Sequence, residues 1–341
     1  MEKTGKQLLT KLRDQWRNNP LFSTGMALLV MVIVQTVALS MNTGFSSFGE
    51  WAQSWLQNWI SLLRGNAGIG IIALGMTFVI ISGGIDLSVG SVYVTVGAFI
   101  MVVLNTGGPL AGLGGIPAIL IGLIGAVVLG SLLGEGNGLL ISNGRMPPFI
   151  ATLGSMQILR SVTQYFMKAQ RTELPEAYKS IARLEIGGQQ LMPILYWGLL
   201  AAAMYVISKK TTFGRYVFAI GSNERTTRLS GVNVRAVKRR VYALTGFLVA
   251  IAAIIQTSRI GSMDYASAGS GFEMDAIASV IVGGTSMSGG RGSIVGTVFG
   301  TLIVAVMNNL LNLIGVDPYL SAAFKGAIII GAVLLQRKDK S

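Results

Sequence analysis

Runs of roughly 20 apolar residues recur along the chain, and short polar segments separate them. About 20 helical residues are needed to cross a hydrocarbon core of roughly 30 Å. So many apolar runs could not all be buried inside one soluble core. The pattern therefore predicts an all-α polytopic membrane protein with about ten transmembrane helices.

The even number of predicted spans places both chain termini on the same side of the membrane. Two of the spans are short and rich in glycine, which predicts broken or re-entrant helices. Such helices are tolerated only where protein or a water-filled cavity covers the backbone. The predicted spans are Leu21–Ser40, Gly68–Ser82, Leu87–Leu104, Ile119–Ile141, Phe149–Met167, Leu191–Ser208, Val241–Ser258, Phe272–Gly284, Ile294–Ile314 and Tyr319–Leu335.

The segment 45–64 carries three tryptophans at a spacing of four, Trp51, Trp55 and Trp59, which places them on one helical face. Tryptophan is enriched at the headgroup level of membranes. We interpret the segment as an amphipathic helix lying in the membrane interface. A short buried helix is the alternative.

Composition supports a membrane protein and excludes several chemistries. Hydrophobic residues make up 51% of the chain and charged residues 12%, whereas soluble domains carry about 25% charged residues. The chain contains no Cys and no His, which excludes thiol catalysis, disulfides and histidine relays. The net charge of +13 does not predict nucleic-acid binding, because the basic residues lie in separate segments between the spans.

The distribution of basic residues predicts the orientation. With the N-terminus inside, 19 Lys and Arg lie in cytoplasmic segments, six lie outside and two lie within spans. This bias follows the positive-inside rule. We therefore expect cytoplasmic termini, a cytoplasmic tail over residues 1–20, and one transmembrane domain over residues 21–341.

Two glycine-rich turns share the pattern G-G-x-x-x-S-x-G, starting at Gly83 and at Gly283. An ancestral duplication or chance explains the match equally well. In the first turn, Asp86 or Ser88 can cap a new helix, because their side-chain oxygens accept hydrogen bonds from free N–H groups. The alternative is that Asp86 contacts a solute in a transport path. The candidate pathway residues are Asp86, Ser88, Asn137, Asn308, Asn309 and Asn312.

Glycines spaced by four residues, Gly130 to Gly138 and Gly292 to Gly300, predict close helix packing. The polar segment 209–240 is too long and too patterned to be a simple tether. Asn223 can cap a short helix that Gly231 would end. This helix is predicted to be a docking element for a cytoplasmic partner, and a lipid-headgroup anchor is the alternative.

Six segments in order, "GGIDLSVGS", "NGLLIS", "PPFIATLGSM", "FGRYVFAIGSNERTTRLSGVNV", "DAIASVIVGGTSMSGGRGS" and "GVDPY", resemble the permease subunits of bacterial ABC importers for ribose, xylose and galactose. The resemblance covers nearly the whole chain. It implies a second permease subunit, identical or different, a cytoplasmic ABC ATPase that binds ATP and Mg²⁺, and a periplasmic or lipid-anchored sugar-binding protein. It also implies the bacterial inner membrane and transport of a monosaccharide by alternating access.

The resemblance identifies the segment around Glu224 as a coupling helix that sits in a groove of the ATPase. Related permeases often carry two alanines where this chain has Thr226 and Thr227, which leaves the identity of the ATPase open. The implied coupling residues are Asn223, Glu224, Arg225, Arg228, Leu229, Ser230, Gly231 and Val232. Candidates for contact with the binding protein are Arg171, Lys179 and Arg259, in predicted external loops.

The chain contains no G-x-x-x-x-G-K-[ST] motif, so it lacks a P-loop for a nucleotide. We therefore expect a transport subunit that is not an enzyme, binds no cofactor itself, and receives its energy from a partner or a gradient. The alternatives are a permease for another small polar solute, including an amino acid or lipid, a gradient-driven secondary transporter, and a membrane-embedded enzyme.

Overall fold

The computed structural model describes residues 20–42, 44, 47–105, 107–167 and 173–317, together with residues 320, 323, 324, 326, 327 and 330. The described residues form α-helices joined by loops, with one 3₁₀ turn at Ala111–Leu113. The helices are α1 (Pro20–Asn42), α2 (Phe48–Ile81), α3 (Val89–Val103), α4 (Gly115–Ser142), α5 (Pro148–Met167), α6 (Glu176–Arg183), α7 (Met192–Lys210), α8 (Thr212–Ser222), α9 (Glu224–Leu229), α10 (Val234–Ile260), α11 (Phe272–Val282) and α12 (Ile294–Leu313).

Six of these helices are long and apolar enough to cross a membrane: α1, α2, α4, α7, α10 and α12. The chain is therefore a multi-pass membrane protein, as predicted, and its described residues form helices and loops. The predicted number of about ten spans is not confirmed. Residues 1–19 of the predicted tail and most of the predicted span Tyr319–Leu335 lie outside the described residues.

The core of the protein lies around α10 and the second half of α2. Every residue of α2 from Gly70 to Ile81 is buried, and α10 packs against α2, α3, α4 and α6. Because every residue in this half of α2 is buried, it contacts protein on all sides.

The predicted glycine packing is confirmed at the contact between α4 and α10. A Cβ atom on Gly134 would lie 2.3 Å from the carbonyl oxygen of Tyr242, and one on Gly246 would lie 2.0 Å from that of Gly130. A similar approach joins α12 to the end of α11, where a Cβ on Gly300 would lie 1.9 Å from the Ser279 oxygen. Small residues are needed at these places because the helix backbones touch.

The structure differs from prediction in the region of the tryptophans. Residues 48–64 of the predicted interfacial helix and residues 68–81 of the predicted span Gly68–Ser82 belong to one continuous helix, α2, of 34 residues. The helix is continuous because nothing in the sequence between the two predicted segments breaks it. At about 1.5 Å per residue it extends for roughly 51 Å. Whether its first half lies in the membrane interface stays a prediction.

The tryptophan face of α2 contacts α1. The indole N–H groups of Trp51 and Trp55 donate to the hydroxyls of Ser40 and Thr36, at 2.9 and 3.1 Å. Trp59 continues this row of neighbouring rings. The three side chains therefore share one face, as predicted, and that face attaches α1 to α2.

α11 has 11 residues, or about 16 Å, which is too short to cross a membrane. The loop before it enters the helix bundle, because a Cβ on Gly90, in the first turn of α3, would lie 2.1 Å from the Gly269 carbonyl oxygen. Gly269, in the segment between the predicted spans Val241–Ser258 and Phe272–Gly284, is thus buried in the protein. The loop is held there by Arg160 on α5, whose Nη1 donates to the carbonyl of Ala268 at 2.7 Å.

α6 covers the far end of α10. The Tyr178 hydroxyl donates to the carbonyl of Ile254 at 3.1 Å and shares a hydrogen bond of 2.6 Å with the hydroxyl of Thr257. Arg183 donates to the carbonyl of Arg259 at 2.9 Å. We call this the α6 end of the molecule, and the opposite end, which carries α8 and α9, the α9 end.

Candidate functional site

The segment between α7 and α10 folds into two short helices, α8 and α9. Asn223 begins α9 with a side-chain cap, in which its Oδ1 accepts from the Thr226 N–H at 2.9 Å. Gly231 follows the helix with φ of 82°, a conformation that favours glycine. The predicted helix, its cap and its terminating glycine are therefore confirmed, while its coupling role stays a prediction.

Glu224 attaches α9 to α10. Its carboxylate accepts from Lys238 at 2.6 Å and from Arg228 at 2.7 Å. The hydrogen bond from Lys238 is the main cause that holds the pKa of Glu224 below its usual range, and both positive charges contribute. Glu224 is therefore ionised at neutral pH. Its ion pair with Lys238 joins α9 to the first turns of α10, and its pair with Arg228 lies within α9.

The outer face of α9 is exposed. Leu229 is 81% exposed, and Arg225, Arg228 and Ser230 are exposed beside it. Thr227, by contrast, is buried, and its hydroxyl donates to the Asn223 carbonyl at 2.8 Å. The helix thus presents a leucine and two arginines to its surroundings, while Thr227 on its inner side is buried. Of the remaining candidates, Val232 is half-buried and Gly231 is exposed.

Three backbone segments meet next to α9, at the end of α8. The N–H of Gly290, in the second glycine turn, donates to the carbonyl of Ile81 at 2.9 Å. A Cβ on Gly221 would lie 1.7 Å from that same oxygen and 2.4 Å from the Gly290 nitrogen. We call this contact of Ile81, Gly221 and Gly290 the backbone junction. A displacement of α8 would therefore act directly on both glycine turns.

Asp86 is buried in the first glycine turn, with 2% of its surface exposed. Its Oδ1 accepts from the N–H and the hydroxyl of Ser88, at 2.9 and 2.7 Å. Ser88 is the N-cap residue of α3, but its own side chain makes no capping bond. The carboxylate of Asp86 instead satisfies the free N–H of Ser88, which is an Asx turn. This geometry fits the predicted capped helix start.

A chain of hydrogen bonds extends from Asp86 to two other helices. Asn137 on α4 donates to the Ser88 hydroxyl at 2.7 Å, and Ser155 on α5 donates to the Asn137 Oδ1 at 2.6 Å. Three candidate pathway residues, Asp86, Ser88 and Asn137, are thus brought together. Ser155 was missed by sequence reasoning, because a single serine in a span carries no signal of its partner.

The three other pathway candidates lie towards the other end of the molecule, on the last turns of α12. Asn309 donates to the Asn58 Oδ1 at 3.1 Å, and the same oxygen accepts from Gln35 at 2.7 Å. This contact joins α1, α2 and α12. Asn308 is half-buried, Asn312 is exposed, and the structure does not bring these residues to the Asp86 network.

The predicted docking candidates have separate surroundings. Arg171 lies outside the described residues. Lys179 pairs with Glu176 at 2.6 Å, and its side chain is only 18% exposed. Arg259 donates to the Gln256 Oε1 at 3.2 Å. Lys179 and Arg259 thus each make a side-chain contact within the protein, and their docking role stays a prediction.

Sequence reasoning also missed the polar contacts of α5 with the loop before α11. Arg160 and Gln164 donate to carbonyl groups of this loop, Gln164 to that of Ala266 at 3.3 Å. A charged residue in the middle of a span was itself a signal of a buried partner. No cluster of acidic side chains that could hold a metal ion is present in the described part of the chain.

Sequence comparison assigns the protein to a class. A family model described as branched-chain amino acid transport system / permease component matches residues 59–333. This is most of the chain, which therefore belongs to this family of permeases. The multi-pass helical architecture agrees with that assignment.

Particular relatives are permeases for sugars. The chain is 38% identical over 290 residues to the ribose import permease protein RbsC of Escherichia coli (strain K12), covering 84% of this chain and 87% of the relative. It is 43% identical over 287 residues to RbsC of Bacillus subtilis (strain 168), covering 83% and 86%. It is also 36% identical over 276 residues to the galactose/methyl galactoside import permease protein MglC of Escherichia coli (strain K12), covering 78% and 82%. The resemblance to sugar permeases is confirmed.

Proposed function

We propose that this chain is the membrane-spanning permease of an ATP-driven importer that carries a monosaccharide across the bacterial inner membrane. A separate ATPase hydrolyses ATP, and a sugar-binding protein outside the membrane delivers the solute. The similarity to ribose and galactose permeases over more than three quarters of each relative supports the substrate class.

The observation that carries the proposal is the geometry of α9. An exposed leucine that a partner covers removes apolar surface from water, which favours association. Leu229 is 81% exposed, while the ion pair of Glu224 with Lys238 joins the helix to α10. A helix that is ion-paired to α10 and ends in an exposed leucine is suited to docking in a groove of the ATPase and to transmitting the movement of the ATPase.

The backbone junction offers a route for that movement. When the ATPase subunits bind ATP and approach each other, α9 and α8 move as one lever. Gly221 then displaces Ile81 and Gly290. Ile81 directly precedes the first glycine turn, and Gly290 belongs to the second. Because the turns connect α2 to α3 and α11 to α12, the transmembrane helices change between an outward and an inward opening.

One face of α5 is suited to border the solute pathway. Gly154, Gln157 and Ser161 are exposed along this helix, although polar side chains at membrane depth are costly in lipid. The same face continues to Tyr165, which is 67% exposed. We infer that this face meets a second permease subunit and a water-filled path between the two subunits.

Transport in vesicles tests the proposal. The chain is reconstituted with its ATPase and binding protein, and uptake of labelled ribose and galactose is measured with and without ATP. We expect accumulation only with ATP and all components. Accumulation by the chain alone under a proton or sodium gradient would contradict the proposal and favour a secondary transporter.

Deletion of Arg228, which shifts the register of α9, tests the coupling role. We expect sugar-stimulated ATP hydrolysis to fall towards the unstimulated rate. The substitution Arg215→Glu serves as a control, because Arg215 is exposed on α8 and lies outside the predicted docking helix. Unchanged stimulation in the deletion variant would show that α9 does not couple the subunits.

The pathway on α5 can be tested separately, because the natural chain contains no cysteine. In a Ser161→Cys variant we expect labelling by a membrane-impermeant maleimide that changes when ATP is added. Ile124→Cys on the exposed apolar face of α4 should not be labelled in either state. Equal labelling of Ser161→Cys with and without ATP would argue against a pathway here.

A further inference from the structure

A cavity of about 600 Å³ opens at the α9 end, between the connection from α4 to α5 and the first turns of α10. Its wall includes four basic residues and one acidic residue: Arg145, Arg228, Arg235, Lys238 and Glu224. Gly83, in the first glycine turn, also borders it. Arg228 and Glu224 belong to α9, so the cavity adjoins the proposed coupling helix.

The basic residues are not balanced within the cavity. Glu224 pairs with Arg228 and Lys238. Among the described residues, neither Arg145 nor Arg235 forms an ion pair. Two positive charges in a concave site favour an anionic occupant, because opposed charges across an interface attract and orient the partner.

Arg145 has an unusual backbone conformation. Its φ is 55°, and within the described residues it is the one residue other than glycine with positive φ. L-residues avoid this region because Cβ approaches the following carbonyl, and glycine adopts it freely. Strained residues of this kind occur where a side chain must be directed to a functional position. Arg145 lies where α4 ends, next to the bond from the Met146 N–H to the Leu140 carbonyl at 3.2 Å, and its side chain is in the wall of the cavity.

We propose that this cavity is a second docking site for the ATPase, beside α9, and that it receives an acidic side chain of that partner between Arg145 and Arg235. The inference rests on the proposed function, because it needs an ATPase at this face. It goes beyond α9, since it adds a contact with the α4–α5 connection. Met146 in the cavity wall would contact the apolar part of the same element.

The position of Gly83 gives this contact a consequence. An element that fills the cavity contacts the first glycine turn, while α9 acts on both turns through the backbone junction. The ATPase would therefore hold the α2–α3 connection at two places. Contact at two places couples the movement of the ATPase to α3 more directly than contact through α9 alone.

Charge reversal tests the site. The variants Arg145→Glu and Arg235→Glu are compared with Arg215→Glu and Arg240→Glu, which change the same charge at exposed positions that do not border the cavity. Binding of the purified ATPase to the full chain in detergent is measured at fixed salt. We expect about a tenfold weaker affinity for each cavity variant and less than about a twofold change for the controls.

A further variant, Arg145→Gly, removes the charge and relieves the strained φ. We expect it to unfold at a higher temperature than the natural chain and still to bind the ATPase more weakly. It therefore separates lost binding from lost folding. Cavity variants that remain monodisperse and bind as tightly as the controls would overturn the proposal.

The substitution Leu229→Asp distinguishes failure of this inference from failure of the proposed function. If Leu229→Asp weakens ATPase binding and the cavity variants do not, the cavity proposal is wrong and the coupling role of α9 stands. If the natural chain binds no ATPase, the proposed function fails as well.

A photoreactive residue at Met146 identifies the occupant. We expect it to cross-link to an ATPase peptide that contains Asp or Glu. Cross-linking only to anionic lipid, in vesicles that contain phosphatidylglycerol and the ATPase, would overturn the proposal in favour of a headgroup site.

Discussion

The two glycine turns share a sequence pattern but are stabilised in different ways. The first joins α2 to α3 through seven residues, 82–88, and the second joins α11 to α12 through eleven residues, 283–293. In the first, the buried carboxylate of Asp86 accepts two hydrogen bonds from Ser88. In the second, the N–H of Ser286 donates to the carbonyl of Arg291, and Gly290 reaches the Ile81 carbonyl.

This difference shows two solutions to the same problem, a helix that ends and restarts inside protein. Free N–H and C=O groups at such an end must find partners when water is excluded. A side-chain carboxylate allows a short turn, because it replaces missing backbone partners. The longer turn uses backbone groups of its own and of neighbouring segments, and it depends on glycines that let those segments approach.

The largest expected effect is at the backbone junction, where the second turn depends on close approach. In Gly221→Ala the new Cβ would collide with backbone atoms of Ile81 and Gly290, which cannot move independently. We expect a loss of about 3 kcal/mol, the upper part of the range for overpacking. Thermal unfolding in detergent, followed by tryptophan fluorescence, measures it.

Gly198→Ala is the matched control for that variant, because no atom lies within 4 Å of the position of its Cβ on α7. Alanine favours a helix by up to about 1 kcal/mol over glycine, so the control should be as stable as the natural chain or more so. Equal unfolding temperatures for Gly221→Ala and the natural chain would show that the junction is not tight.

The next effect concerns the carboxylate of the first turn. Asp86→Ala leaves buried groups of Ser88 without their acceptor, which costs about 1–3 kcal/mol. Asp86→Asn keeps an acceptor oxygen and should lose less. The corresponding change in the second turn, Ser286→Ala, should stay within about 0.5 kcal/mol, because backbone groups stabilise that turn. Similar losses for Asp86→Ala and Ser286→Ala in thermal unfolding would remove the distinction between the turns.

A smaller effect is expected at Gly83, where only backbone conformation matters. Its φ is 79°, and no atom lies within 4 Å of a Cβ built there. Gly83→Ala should therefore cost about 1 kcal/mol from the left-handed conformation alone. Gly136→Ala, an equally open position on α4, should show no loss. A loss of stability for Gly83→Ala well above about 1 kcal/mol would indicate that the new methyl group also collides with a neighbouring segment.

The smallest effect concerns the link between the helices that flank the turns. The hydroxyls of Thr77 on α2 and Thr297 on α12 are 2.7 Å apart and share a hydrogen bond. A double-mutant cycle with Thr77→Val and Thr297→Val should give a coupling of about 0.6 kcal/mol, a typical value for hydrogen bonds between membrane helices. Additive single losses would mean that this bond does not connect the two turns.

The sequence alone determined the class of the protein and its local features. Apolar runs identify membrane helices because each residue contributes its own transfer free energy from water to lipid. The cap of α9 by Asn223 and its end at Gly231 were predictable, because their partners lie within a few residues. The glycine spacing likewise predicted close packing, since no larger residue permits it.

Only the tertiary structure decided which of these elements meet. Hydropathy did not reveal that α2 is continuous, or that the loop before α11 packs against the first turn of α3. Neither did it reveal that Asp86, Asn137 and Ser155 share one network. The physical reason is that a span's composition measures its preference for an apolar environment, which lipid and protein both provide. The neighbour of each polar side chain is chosen by the packing of whole helices, and residues far apart in the chain contribute to that choice together.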